Sequence, residues 1–224
     1  MNLKAQIEQV SIPTYTRKQE SFNVNSHALG VPLAVAIFVF AVVLYVTNKI
    51  SPLYLFGLTI FAISALTVYL ISSVYHYLSP DSYAKKVFRV LDHCAIFLLI
   101  AGTYTPICLV ISTVNWIGLF MVITEWVCAF IGIILNGFFL KKKSVEIISL
   151  VLYILMGWLV IYCGGFRFMT QLSFSFVLAG GITYTIGSVL YAIGHKKATC
   201  HSIFHVFVLV STILQTVGIM SLFI

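Results

Sequence analysis

Seven long, mostly apolar stretches follow one another along this chain and leave little room for any soluble fold. They cover residues 28–47, 53–78, 89–111, 115–139, 144–163, 171–192 and 199–222. About 20 apolar residues allow an α-helix to cross the hydrocarbon core of a bilayer. The stretches are continuously apolar and much longer than the alternating segments of about ten residues found in transmembrane β-barrels. The pattern therefore predicts an all-α membrane protein, a seven-transmembrane helix bundle.

The composition excludes the main soluble classes. Of the 224 residues, 61% are hydrophobic and 8% are charged, against roughly 25% charged residues in an average soluble domain. So few charges cannot cover the surface of a soluble globule of 25.0 kDa. The five cysteines form no CxxC pair and lie mostly in apolar stretches. This favours buried, small apolar side chains over a disulfide framework.

The basic residues predict the orientation of the helices. With a cytoplasmic N-terminus, the cytoplasmic segments contain all but two of the 13 Lys and Arg residues. The basic residues of the cytoplasmic segments are Lys4, Arg17, Lys18, Lys85, Lys86, Arg89, Lys141, Lys142, Lys143, Lys196 and Lys197. The two that fall outside are Lys49 and Arg167. Such an excess is the usual determinant of orientation. We therefore predict a cytoplasmic N-terminal arm, residues 1–27, and a seven-helix domain, residues 28–224, with its C-terminus outside. The positive charge then reflects topology, and no nucleic-acid partner is expected.

Histidines at the predicted cytoplasmic helix ends form a candidate metal site. His201 and His205 are four residues apart, so a helix places their side chains about 5–6 Å apart on one face, within reach of one zinc ion. The predicted topology brings His76 and Asp92, on the second and third helices, to the same side of the membrane. Three imidazoles with an open fourth position are typical of catalytic zinc, which lowers the pKa of a bound water towards neutrality.

Three polar residues have more than one interpretation. Asp92 is a zinc ligand, a general base for the zinc-bound water, or an ion-pair partner of nearby basic residues such as Arg89. Ser72 precedes His76 by one helical turn and could hold Asp92, polarise a bound carbonyl, or bond its own backbone. Glu125 lies in the middle of the fourth stretch. We favour a protonated Glu125 bonded to a neighbouring helix over one that lines a cavity.

Three sequence blocks contain these residues in a specific order. The blocks are Ser72-Ser73-Val74-Tyr75-His76, then Leu91-Asp92-His93 followed by Ala101-Gly102-Thr103-Tyr104-Thr105-Pro106, then His201-Ser202-Ile203-Phe204-His205. Together they resemble the hemolysin III family, the bacterial branch of the progestin and adipoQ receptor superfamily, which is related to alkaline ceramidases. Asn25-Ser26-His27 with Gly30, and Tyr184-Thr185-Ile186-Gly187 with Tyr191, are similar to weaker motifs of that family. The resemblance implies that His76, His201 and His205 bind zinc. It also implies that Asp92 bonds the zinc-bound water, with Ser72 beside it.

These observations predict a zinc-dependent membrane hydrolase that resembles a ceramidase. Its substrate would be a lipid amide or ester, attacked by a zinc-bound water near the cytoplasmic face. A second hypothesis is a cytolytic pore, as the family name implies, and a third is a receptor-like or regulatory protein with a structural zinc. A pore should carry polar residues along several whole helices, whereas here they lie mainly at one side. The expected partners are membrane lipids, and the expected location is the bacterial plasma membrane.

Overall fold

The computed structural model describes residues 3–139, 142–194 and 197–224. Within these ranges, all the regular secondary structure is helical. Its helices are α1 (Leu3–Glu8), α2 (Arg17–Ala28), α3 (Gly30–Val46), α4 (Pro52–Tyr77), α5 (Tyr83–Ser112), α6 (Ile117–Phe139), α7 (Lys143–Gly157), α8 (Leu159–Tyr162), α9 (Gln171–Gly194) and α10 (Ala198–Met220), with a 3₁₀ turn at Gly165–Phe168. The predicted all-α membrane class is thereby confirmed. Lys141 and Lys196 of the predicted cytoplasmic set lie outside the described residues.

Six segments within these ranges are long and apolar enough to cross a membrane. They are Arg17–Val46, Pro52–Tyr77, Tyr83–Ser112, Ile117–Phe139, Gln171–Gly194 and Ala198–Met220. The first segment joins α2 to α3, because Leu29 between them keeps helical angles, with φ −64° and ψ −23°. It therefore begins well before residue 28, where the apolar pattern places its start.

The prediction of one uninterrupted helix over 144–163 is wrong, because Trp158 separates α7 from α8. The hydroxyl of Tyr104 on α5 donates to the carbonyl of Gly157. In a continuous helix, the amide of Ile161 would bond that carbonyl. Here the Ile161 amide donates to the Trp158 carbonyl instead. A contact from a distant helix thus accompanies the break, and α7 alone is shorter than a usual membrane crossing.

Close packing between helices fixes the centre of the bundle, while its outer surface is apolar. At Gly102 on α5, an added Cβ would lie 2.2 Å from the Ser64 hydroxyl of α4, so only glycine fits there. The surface of α6 exposes large apolar side chains, including Phe120, Ile123 and Phe130. Such a surface suits contact with lipid tails rather than water.

Candidate metal centre

One end of the bundle collects three histidines from two helices. His76 lies in the last turn of α4, and His201 and His205 lie in the first two turns of α10. All three side chains are buried. The spacing of four between His201 and His205 puts both rings on the face of α10 that meets α4. In the part of the chain that the structure describes, this is the one group of three or more His, Cys, Asp or Glu side chains placed to hold a metal ion.

Two of the distances within this group are close to those in a tetrahedral metal site. His201 Nε2 lies 3.4 Å from His76 Nε2 and 3.1 Å from His205 Nε2. All the potential ligand atoms lie within 4.8 Å of one another. Zinc holds imidazole nitrogens at about 2.0–2.1 Å, which places two nitrogens of a tetrahedron roughly 3.3 Å apart. The three residues are therefore placed so that together they could hold a transition-metal ion.

Ordinary two-centre hydrogen bonds cannot pair all three of these nitrogens. In a neutral imidazole, each ring nitrogen offers either one N–H or one lone pair. His201 Nε2 faces two other Nε2 atoms, so it cannot be donor to one and acceptor to the other at once. A cation between the rings would accept all three lone pairs. The donor set thus suits a metal better than it suits a hydrogen-bond network.

Asp92 and Ser72 lie beside the imidazoles rather than among them. Asp92 on α5 does not belong to the group that could hold a metal, although it interacts electrostatically with His76 and Ser72. The buried Ser72 hydroxyl lies close enough to Asp92 to interact with its carboxyl group, and it contacts no other hydrogen-bond partner among the described residues. Arg89 forms its ion pair with Glu146, at 3.6 Å, rather than with Asp92. Asp92 is thus placed to act on a molecule bound beside the metal position.

A largely apolar cavity of about 90 Å³ extends from these residues into the bundle. Ser72, Asp92 and His205 line its polar end, and the lining also includes Val68, Ile96, Leu99, Ile100, Leu150, Ile154, Tyr184, Phe204 and Val208. Most of these side chains are aliphatic or aromatic, so the cavity suits a hydrocarbon chain better than a polar solute.

The N-terminal arm contributes residues to the centre that the sequence patterns did not single out for it. Glu20 Oε2 lies 2.6 Å from His76 Nδ1, and the amide nitrogen of Asn23 lies 3.4 Å from the same atom. His27 packs against His205 with ring centroids 3.9 Å apart. Positions 20, 23 and 27 recur at helical spacing, so they share one face of α2. That periodicity was the available clue, and the many charges in the arm obscured it.

His27 is distinctive because neither of its ring nitrogens has a hydrogen-bond partner among the residues that the structure describes. Both atoms are buried, and the side chain lines the apolar cavity beside Ser72 and His205. Buried polar groups in proteins are nearly always hydrogen bonded. An imidazole left in this state is suited to bond a molecule that enters the cavity.

Tyr15 closes the centre from the side of the arm. Its ring stacks on His201 with centroids 5.1 Å apart, and burial raises the pKa of its hydroxyl well above the usual value of 10.0. Beneath it lies a second, smaller cavity of about 20 Å³, lined by Tyr15, Arg89, Asp92, Tyr191 and His201 among others. This volume is about that needed for a single water molecule.

His93 lies outside the group of three histidines and bonds other residues. The Tyr191 hydroxyl donates to His93 Nε2 at 2.8 Å, and His93 Nδ1 donates to the Arg89 carbonyl at 2.9 Å.

Glu125 on α6 is buried, and neither of its carboxyl oxygens has a hydrogen-bond partner in the described structure. The expected bond from Glu125 to a neighbouring helix is therefore not found.

The apolar helices and the buried cluster of histidines define a class, that of multi-pass helical membrane proteins with a candidate metal centre. The family model described as "Haemolysin-III related" matches residues 15–216. The "Hemolysin-3 homolog" of Bacillus subtilis (strain 168) is 34% identical over 197 residues, covering 87% of this chain and 90% of that protein. The "Hemolysin-3" of Bacillus cereus is 32% identical over 204 residues, 90% of each chain. The chain belongs to the haemolysin III family and is a multi-pass protein of the bacterial cell membrane.

Proposed function

We propose that this protein is a zinc-dependent hydrolase of a lipid amide or ester. The observation that carries the proposal is the convergence of His76, His201 and His205 Nε2 at spacings of 3.1 and 3.4 Å, beside an apolar cavity. Zinc held by three imidazoles retains an open position, where it activates water and polarises a carbonyl group.

The neighbouring side chains would then handle the proton and the substrate. Asp92 lies next to the metal position without belonging to the ligand group, so it would accept the proton of the attacking water. The buried Ser72 hydroxyl would hold the Asp92 carboxylate or donate to the substrate carbonyl. His27, which lines the same cavity, would donate a second hydrogen bond to the substrate.

The cavity and its surroundings support a lipid substrate. Gly157 and Gly181 both line it, from α7 and α9, and an added Cβ at either position would meet no atom within 4 Å. A hydrogen bond of 3.0 Å from Trp158 to Thr185 links the end of α7 to α9. The seam between α7 and α9 is therefore loosely filled. We propose that an acyl chain enters from the bilayer through it.

The same proposal includes a seventh membrane crossing and the orientation of the chain in the membrane. Residues 143–162 form α7 and α8, and a stretch of 20 helical residues spans about 30 Å, the thickness of the hydrocarbon core. We propose that this pair forms the seventh crossing. The distribution of basic residues then places the arm, residues 1–27, and the metal centre at the cytoplasmic face, with Ile224 outside.

Metal content is the first test of this function. Protein purified in detergent without chelator should contain about one zinc per chain, and it should release free fatty acid from at least one member of a panel of lipid amides and esters. His201→Ala should lose both properties, because two imidazoles are a poor zinc site. His93→Gln is the matched control, since it removes a buried imidazole outside the ligand group. Wild-type protein without zinc would refute the proposal.

The names of the Bacillus relatives favour a second candidate, a cytolytic activity. A lytic pore does not need the metal centre, so lysis of erythrocytes or dye-loaded vesicles should persist in zinc-free His201→Ala. A hydrolase that damages membranes through its products would instead lose lysis and zinc together. Lysis by the His201→Ala variant at the wild-type level would favour the pore.

A further inference from the structure

The arm holds one of the three imidazoles through a buried chain of polar contacts. Glu20 Oε2 lies 2.6 Å from His76 Nδ1, and Glu20 Oε1 accepts a hydrogen bond of 2.7 Å from Lys85 Nζ. Lys85 is fully buried and also donates to the Leu78 carbonyl at 2.9 Å. The carboxylate is therefore fixed from both sides, between a histidine of α4 and a lysine of α5.

This contact determines which nitrogen of His76 is available. A carboxylate only accepts hydrogen bonds, so Nδ1 carries the proton that faces Glu20. In the neutral ring, Nε2 then bears a lone pair, and it points towards His201 Nε2 at 3.4 Å. Histidines that bind metals usually donate their second ring N–H to a carboxylate, carbonyl or water, which fixes the tautomer and strengthens the ligand.

The three histidines differ in this respect. His205 Nδ1 is buried and has no hydrogen-bond partner in the described part of the chain, whereas His76 Nδ1 has a charged acceptor at short distance. A carboxylate can neutralise part of a cation's charge through the ring, and an unpartnered nitrogen cannot. His76 is therefore held in its orientation more firmly than His205.

We infer that Glu20 is a positioning residue of the metal centre: it orients His76 and fixes its tautomer, while Lys85 holds Glu20 in place. The inference rests on the proposed metal function of His76, His201 and His205. It makes the N-terminal arm part of the centre rather than a separate cytoplasmic segment.

The test is the zinc affinity of the full-length protein in detergent, measured by competition with a chelator of known affinity. Glu20→Gln should bind zinc roughly 10–100-fold more weakly, the usual effect of losing such a partner. The side-chain amide introduced at position 20 can turn its NH₂ group towards His76 Nδ1. It would then favour the tautomer in which His76 Nε2, the metal-facing nitrogen, carries the proton. Glu8→Gln, which changes an exposed carboxylate of the same arm, should bind zinc like the wild type.

A second variant separates positioning from folding. Glu20→Gln leaves the Lys85 charge buried without its ion-pair partner, which by itself destabilises a protein. Glu20→Gln/Lys85→Met removes both charges, so the thermal stability of the metal-free protein should return towards the wild-type value. If Glu20 positions His76, zinc affinity stays low in this double variant. If Glu20 only stabilises the fold, affinity recovers with stability.

The outcomes distinguish this inference from the proposed function. Zinc binding by the wild type, with weak binding in both Glu20 variants, supports both. Wild-type zinc affinity in Glu20→Gln/Lys85→Met would overturn the role of Glu20 but would not contradict the proposed metal centre. Wild-type protein that binds no zinc overturns the two together.

Discussion

Replacing Asp92 with Asn tests whether the proposed centre is catalytic or structural. The change keeps the size of the side chain and removes the charge that would accept a proton from water. Asp92 lies outside the group of metal ligands, and Arg89 pairs with Glu146 instead. The substitution should therefore leave zinc content and thermal unfolding close to the wild-type values.

The expected effect on rate follows from the loss of a general base. Such groups contribute about 10²–10⁴-fold to a reaction, equivalent to roughly 2.7–5.5 kcal/mol of barrier. Fatty-acid release by Asp92→Asn should fall by a factor in this range, measured at saturating substrate on zinc-loaded protein. Metal analysis and a thermal melt of the same preparation complete the assay.

Asp81→Asn is the matched control, because Asp81 is an exposed aspartate between α4 and α5 and should have no effect on rate. Full hydrolytic activity in zinc-loaded Asp92→Asn would refute the base role. If zinc or stability is lost along with activity, Asp92 is instead a ligand or a structural partner, as in a regulatory protein with structural zinc.

Three further predictions test the topology, the cavity and the arm. A reporter fused after Ile224 should be active only outside the cytoplasm, and activity in the cytoplasm would reverse the proposed orientation. Gly181→Leu should fold normally but slow the hydrolysis of long-chain substrates more than short-chain ones, because the new side chain fills open space in the cavity. Gly137→Leu, also next to open space but outside the cavity, should do neither. Tyr15→Ala should speed the loss of zinc to a chelator, since it removes the ring stacked on His201; an unchanged rate would exclude a covering role for the arm.

Much of the fold could be predicted because its determinants are local. The apolar length of each stretch fixes a membrane helix without any knowledge of its neighbours. The spacing of His201 and His205 likewise defines a shared helix face. The excess of Lys and Arg in alternate loops predicts that His76 and Asp92 lie at the same end of the bundle. The structure places both residues there.

The remainder depends on contacts between residues far apart in the sequence. The break at Trp158 coincides with the Tyr104 bond to Gly157, 53 positions away. The Glu20 contact with His76 spans 56 positions. No local pattern encodes such a pairing, so the sequence predicted only a cytoplasmic arm over residues 1–27 and not its contacts with the histidines. Mixed charges and a low apolar content obscured the helical spacing that could have indicated its buried face.

Asp92 lines both cavities, which differ in size and polarity. The small one, about 20 Å³ between Tyr15, Arg89 and His201, has room for roughly one water molecule. In the proposed hydrolase, a nucleophile that approaches Asp92 through this cavity would therefore have to be about as small as water, and an alcohol such as glycerol would be excluded. A bound acyl group would be transferred to water in preference to another lipid's hydroxyl, so the dimensions of this chamber would favour hydrolysis over transacylation.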